Sequence, residues 1–413
     1  MRYAALVLLL VLVGSAFAAP NVTGSSGTFA DGEAVTFTGS GFGATGPNII
    51  MFDDFEDGSD GADFTSGSAP VGTWNATSGI VKYSTDYSVS GSTSFEATMY
   101  PHWLNYAEVL TPANTRDVFV SYWIYVPSGG LFPGEGAGGI NWKIIWTQGE
   151  DSTDDDLCMP SMSAGSLWIF FSNSGPFNWY PDNAPSMSKG SWYHVKAWCD
   201  GGSSGDGEAK YWTMTSGSPH ELSDENTGVT TMSGGGYRER VRMNGYGGEA
   251  SGCIVYFDDF YCATGASAQA RVEIGNNSSY FSCTELAIMP VTSWADGSVS
   301  VTFAEGTLAN DETAYVFITT AGDTTSSGYE IIMGGGGSPS LAIDTAERSG
   351  SNLDLEWNST TAPYHVQIAD PGTDIRHMAT SDTVATIPVG TDSLEVTVTD
   401  SDGAHSKTGV GAQ

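Results

Sequence analysis

Short runs in which apolar and polar residues alternate, broken by Gly, Ser, Asp or Asn every eight to twelve positions, recur through this chain. Ala34-Val-Thr-Phe-Thr38, Val118-Phe-Val-Ser-Tyr-Trp-Ile-Tyr-Val126 and Ser298-Val-Ser-Val-Thr-Phe303 are examples. Successive side chains of a strand point to opposite faces, so each run offers one apolar face. Turn residues at this spacing fold each strand back beside the last. No segment repeats with the 3.6-residue period of an amphipathic helix. The pattern predicts an all-β protein built of sandwiches. Aromatic residues make up 12% of the chain, enough to build cores and to exclude disorder.

Charge narrows the partners. Asp and Glu total 48 against 14 Lys and Arg, a net charge of −34. That field has the wrong sign for tracking nucleic-acid phosphates or for docking on anionic lipid. Residues 1–18 read as a secretory leader: Arg2, the apolar run Ala4 to Val13, and Ala16-Phe17-Ala18 as the cleavage site. The run is too short to span a bilayer, and no later stretch reaches the ~18 apolar residues a spanning helix needs. The expectation is a secreted, extracellular protein with no membrane insertion. Five cysteines, Cys158, Cys199, Cys253, Cys262 and Cys283, allow at most two disulfides and leave one thiol over. No CxxC pair suggests zinc or redox chemistry.

Composition also divides the chain. Ten of the twelve tryptophans lie between Trp74 and Trp212, so residues 50–266 are expected to form one large aromatic domain. The flanks, 19–49 and 268–335, are rich in Thr, Val and Gly. The first is too short for a domain, but together they are the size of one immunoglobulin-like sandwich. "DGEAVTFTGSGFG" (31–43), "RVEIG" (271–275), "VTSWADGSVSVTFAEG" (291–306) and "AYVFITTAGDTTSSGYEIIMG" (314–334) follow in order. They resemble the IPT/TIG family of immunoglobulin-like domains. The resemblance implies that the large domain is inserted into such a sandwich; a truncated N-terminal unit beside a complete second one is the alternative. "GGGGSP" (334–339) reads as a flexible linker, and residues 340–413 as a small C-terminal β-sandwich.

The large domain carries "FDDFEDG" (52–58), "VFVSYWIYVPSG" (118–129), "INWKIIWTQG" (140–149), "GSWYHVKAWCDGG" (190–202), "YRERVRMNG" (237–245) and "CIVYFDDFYCATG" (253–265). In this order they resemble the concanavalin A-like lectin/glucanase jelly roll, nearest its polysaccharide-lyase-like and laminin-G-like branches. The resemblance implies a curved two-sheet sandwich whose hollow side grips carbohydrate.

Three sets of residues are candidates for chemistry. Asp53, Asp54 and Glu56 open the domain, and Asp258 and Asp259 close it. Calcium takes 6–8 oxygen ligands, and neighbouring terminal strands are able to supply them as a structural Ca2+ site. The competing reading is solvated turn acids. Arg238, Arg240 and Arg242 alternate along one strand and would share a face, as guanidinium readers of an acidic glycan. The competing reading is charge balance against acids on the adjoining strand. In the strand around 192–198, Trp192, His194, Lys196 and Trp198 share one face, polar and aromatic together, as sugar contact requires. Tyr193, Val195 and Ala197 share the other. Lys143 on the tryptophan-rich strand joins the substrate-binding set.

Catalysis is the weaker reading. The E-x-D-x-x-E carboxylates of a glucanase are absent, as are G-x-S-x-G and H-E-x-x-H motifs. A β-elimination lyase needs a base and cations facing the substrate carboxylate. His194 with Tyr193 and Lys196 would supply these, with His102 as another base. The residues therefore suggest a secreted, modular carbohydrate-binding or adhesion protein whose partner is a polysaccharide or cell-surface glycan. The alternatives are a polysaccharide lyase acting on an acidic glycan, and a structural subunit of an extracellular sheath or appendage.

Overall fold

The computed structural model describes residues 19–99, 104–135, 141–149, 159–163, 167–171, 178–179, 181–183, 186–232, 236–247, 253–308 and 312–334, and beyond these 336–337, 343–349, 352–357, 364–369, 376–382, 384–388, 394–399 and 405–410. The leader at 1–18, His102 and Cys158 lie outside them. The described chain is all-β: antiparallel sheets, no α-helix, and one 3-10 turn at Tyr280–Ser282. Among the described residues no helix is long and apolar enough to cross a membrane.

Two sheets pack face to face between residues 48 and 264. The larger carries Glu221–Val229, Gly207–Thr215, Trp192–Cys199, Val118–Tyr125, Ile254–Thr264 and Asn48–Asp53 side by side. The other places Asn141–Gly149 beside Arg238–Gly247, and that beside Tyr106–Leu110. Val120, Tyr122, Ile124, Val195 and Ala197 of the first meet Trp142, Ile145, Val241, Met243 and Val109 of the second in one core. The first and last strands of this sandwich, Asn48–Asp53 and Ile254–Thr264, are paired neighbours, Phe260 opposite Asp53 and Thr264 opposite Asn48. The chain thus enters and leaves the sandwich at one place.

The segments on either side build a second sandwich. Ala34–Ser40 pairs with Ser298–Thr302, Val35 opposite Val301 and Phe37 opposite Val299. Its other sheet runs Leu286–Met289, Arg271–Gly275, Thr313–Thr319, Tyr329–Ile332. Phe29, Val35, Phe37 and Phe42 share its core with Val272, Ile274, Val316 and Ile318. Gly336–Gly337, expected within a flexible linker, instead pairs with Gly27 and Thr28. A third core, with Leu353, Leu355, Trp357, Val366, Ile368 and Val398, holds the C-terminal strands together.

Every residue of Val118–Tyr125 is buried. Val118, Val120, Tyr122 and Ile124 face the first core. Phe119 and Trp123, on the opposite face, lie in clusters that also hold Ile288 and Phe317 of the second sandwich. A strand covered on both faces has no need of polar residues on either, which is why this run is apolar nearly throughout.

Candidate functional site

The face expected to touch sugar at 192–198 is not open. Lys196 is 0% and His194 3% exposed, and the second sandwich covers both. Lys196 Nζ lies 2.7 Å from Glu273 Oε1 and donates to the Tyr280 hydroxyl at 2.5 Å. Arg271 Nε donates to Glu273 Oε2 at 2.7 Å, and its guanidinium lies over the rings of Phe119 and Trp212. Burial works against charge on Glu273, but the cations of Lys196 and Arg271 overcome it and hold the carboxyl at about 2. Burial lowers Lys196 to about 8 against the pull of Glu273, so both are charged at neutral pH.

His194 is stacked on Trp123 with centroids 4.9 Å apart, and Nε2 lies 2.8 Å from Ser121 Oγ. Burial, with Lys196 beside it, pushes the imidazole down to about 3. Tyr193 is in the sandwich core, its hydroxyl accepting from the Ser188 N–H at 2.8 Å. The reading of His194, Lys196 and Tyr193 as a lyase's catalytic set is therefore corrected: all three are buried away from solvent. Trp198 is corrected with them, being 4% exposed and packed with Trp212 and Ile288. Trp192, at the end of the row, is half-buried against Tyr125.

The arginines separate. Register shifts between Gln148 and Gly149 where the strand meets Arg238–Gly247, breaking the alternation there. Arg238 turns inward: it is 0% exposed and donates from Nη2 to Cys199 Sγ at 3.2 Å. It leaves the expected binding stripe. Arg240 and Arg242 remain on the outer face of the second sheet. Arg242 lies in register with Trp146 on one side and Glu108 on the other. Its guanidinium carbon is 4.3 Å from the Tyr106 ring centre and 5.3 Å from that of Trp146. Nε donates to Glu108 Oε2 at 2.6 Å.

Arg240 is the more open of the two, its side chain 32% exposed, with Glu239 at 3.3 Å and Glu108 at 3.7 Å. Charge balance by the adjoining strand thus accounts for much of Arg242 and less of Arg240. Trp142 and Ile145 point into the core, so their neighbours Lys143 and Trp146 point out, on the arginines' face. Burial lowers the Lys143 ammonium from its ordinary value. This face collects three cations and two aromatic rings: Lys143, Arg240, Tyr106 and Trp146 are half-buried, while Arg242 is itself buried against the buried carboxylate of Glu108. Tyr106 and Glu108 were missed from sequence because only strand pairing brings them beside Arg242. An alternating "YAEVL" is the one local signal they give.

The terminal acids are each tied into local hydrogen bonds. Asp53 accepts from the Phe55 N–H at 2.8 Å and from Trp74 Nε1 at 2.6 Å. Asp258 accepts from the N–H groups of Val89, at 2.7 Å, and of Asp259, at 3.0 Å. Glu56 accepts from the N–H groups of Ser92 and Thr93 and from the Ser92 hydroxyl. Such bonds tie loops to strand ends. Among the described residues no group of three or more His, Cys, Asp or Glu side chains is placed to hold a metal ion.

A bulge separates the last pair, since Ser121 faces Tyr261 while Trp123 faces Asp258. Asp259, inside it, has a φ of 47°, and its carboxylate accepts from the Ser90 hydroxyl at 2.7 Å. It lines a pocket of about 170 Å3 with Asp54, Glu56, Asp31 and Glu305. Burial raises both Asp53 and Asp259 to about 7, and Asp54, Asp31 and Glu56 add to the rise at Asp259. Cys199, Cys253, Cys262 and Cys283 are buried, and no disulfide joins any two of them.

No family model matches this sequence, and no curated protein matches it. Similarity to solved structures is slight. An endo-β-1,4-glucuronan lyase from the fungus Trichoderma reesei is 14% identical, with a TM-score of 0.37 over 53% of this chain and 96% of that one. A marine alginate lyase from Aplysia kurodai is 14% identical, with a TM-score of 0.30 over 45% and 87%. The receptor-binding domain of botulinum neurotoxin type G is 11% identical, with a TM-score of 0.28 over 91% and 85%. At these scores and identities the likeness carries no argument.

Proposed function

We propose that this protein binds an acidic polysaccharide on the outer face of the sheet that carries Asn141–Gly149, Arg238–Gly247 and Tyr106–Leu110. The observation behind the reading is the setting of Arg242 between the rings of Tyr106 and Trp146, with Arg240 partly open beside it. The chain has 14 cations against 48 acids, so most of its surface repels a polyanion. This face is where that repulsion is locally reversed. Pyranose rings have apolar C–H faces suited to Trp146 and Tyr106, and their carboxylates suit the paired donors of a guanidinium. Glu108 holds Arg242 in place and moderates the charge.

The rest of the proposal concerns context. The leader-like start supports export, and the second sandwich, which we read as immunoglobulin-like, acts as a spacer docked on the first. A single shallow face binds weakly, so attachment to a glycan-coated surface would draw on several copies at once. The test is a panel of soluble acidic and neutral polysaccharides against the full chain. Retention by acidic members that weakens with added salt supports the reading, and no retention by any acidic member refutes it. Unsaturated uronate absorbing in the near ultraviolet would assign a lyase instead of a binder.

A further inference from the structure

A second pocket of about 710 Å3 opens at the seam between the two sandwiches, within the range that holds small ligands. It differs in kind from the cationic face. Two large apolar side chains stand exposed in it: Phe281 at 53%, from the turn after Tyr280, and Leu222 at 37%, from the edge strand Glu221–Val229. Phe281 is fixed from beneath. Its ring lies parallel to that of His220, centroids 5.7 Å apart and planes 8° from each other, and Tyr280 meets His220 edge-on at 4.9 Å. His220 is 1% exposed, and neither ring nitrogen has a hydrogen-bond partner. The His220 N–H donates to the Cys283 carbonyl at 2.8 Å, which ties the two sandwiches together beside the pocket.

Burial, with Lys196, His194 and Arg271 nearby, keeps the imidazole neutral. Glu221 is then the one charged side chain among the pocket's described lining, with Ser218 and Thr215 beside it. A rigid ring with one face toward solvent, an apolar neighbour, and a rim of hydroxyls and one carboxylate suits a ligand with an apolar face and hydroxyl edges. The carboxylate, in a chain of net charge −34, disfavours anions.

We infer that this pocket binds a neutral pyranose, stacked on Phe281 with its hydroxyls toward Glu221 and Ser218. The site stands apart from the acidic-glycan face, so one reading fails without the other.

The experiment titrates the full chain with neutral β-1,4-glucan, β-1,3-glucan and β-mannan hexasaccharides, by calorimetry and ligand-observed NMR. At least one is expected to bind. Phe281→Ala should weaken it tenfold or more, Phe281→Trp should retain it, and Arg242→Ala should leave it unchanged. Phe281 is exposed, so its substitution leaves the fold intact, which circular dichroism verifies. Absence of binding by all three saccharides overturns the inference, and so does equal affinity in Phe281→Ala. A concentration-dependent dimer abolished by Phe281→Ala also overturns it, by assigning the pocket to a second copy of the chain.

Discussion

Lys196 and Glu273, one from each sandwich, form an ion pair of 2.7 Å in which both side chains are wholly buried. Two charges withdrawn from water stay there because each answers the other and Arg271 and Tyr280 supply the remaining hydrogen bonds. The pair converts a face with the look of a sugar groove into an interface inside one chain.

Removing one partner should expose that cost. Lys196→Met leaves Glu273 with Arg271 and the Tyr280 hydroxyl but without its lysine partner, and breaking a buried pair in this way typically costs about 3–5 kcal/mol. Denaturant unfolding should show a loss of that order, with polysaccharide affinity unchanged. A variant that keeps its stability but loses binding would instead place Lys196 in the binding machinery.

On the outer face of the second sheet, Arg242 and Glu108, both buried, oppose each other in their effect on a polyanion. Glu108→Gln removes the negative charge beneath two arginines. Affinity for an acidic polysaccharide at low salt should rise severalfold, and the gain should shrink as salt is added. The same variant leaves Arg242 without its charged partner and should unfold at a lower temperature. Weaker binding in Glu108→Gln would mean that the carboxylate itself touches the ligand.

The acid pocket at the seam gives a pH dependence. Asp259 has a folded pKa of about 7, above the ~3.9 of an unperturbed Asp. Between those values the folded state holds a proton that the unfolded state has lost, so the cost of this charge is full above pH 7 and fades as pH falls toward ~4. Asp259→Asn keeps the contact with the Ser90 hydroxyl and removes the charge. Its unfolding temperature should exceed the parent's at pH 8, and the difference should close as pH falls through 7 toward 4. A difference that does not change with pH would show that Asp259 carries no such cost.

Burial pushes the Cys253 thiol up to about 12 and the Cys283 thiol up to about 11, and raises Cys262 further still. A thiol reagent at neutral pH should leave Cys199, Cys253, Cys262 and Cys283 unmodified in the native protein and modify all four in denaturant. Modification of any of them at native stability would contradict their burial.

The strands were legible because alternation is local. Val118–Tyr125, Asn141–Gly149 and Ile254–Thr264 form where the apolar runs lie. Which side of a strand meets water was not legible at 192–199. His194 and Lys196 are polar, and polar residues ordinarily mark a solvated face. Their partners Glu273 and Tyr280 lie more than seventy residues on and belong to another sandwich. Alternation also failed at bulges. It put Arg238 with Arg240 and Arg242, whereas the irregular start of that strand turns Arg238 into the core. Inside the bulge opposite Ser121 and Trp123, it could not foresee Asp259 turning toward the seam. Arg240, Arg242 and Lys143 were legible as cations on strand faces, but their half-buried to buried setting among Tyr106, Glu108 and Trp146 depends on pairing between distant segments.

The central claim rests on the open face, and the most direct test compares polyuronate binding by the parent with that of Arg240→Ala/Arg242→Ala, titrated at low and physiological salt. We predict at least a tenfold loss of affinity in the double variant, with a shallower salt dependence than the parent's and a retained fold. Equal affinity and equal salt dependence in the two proteins would contradict the account.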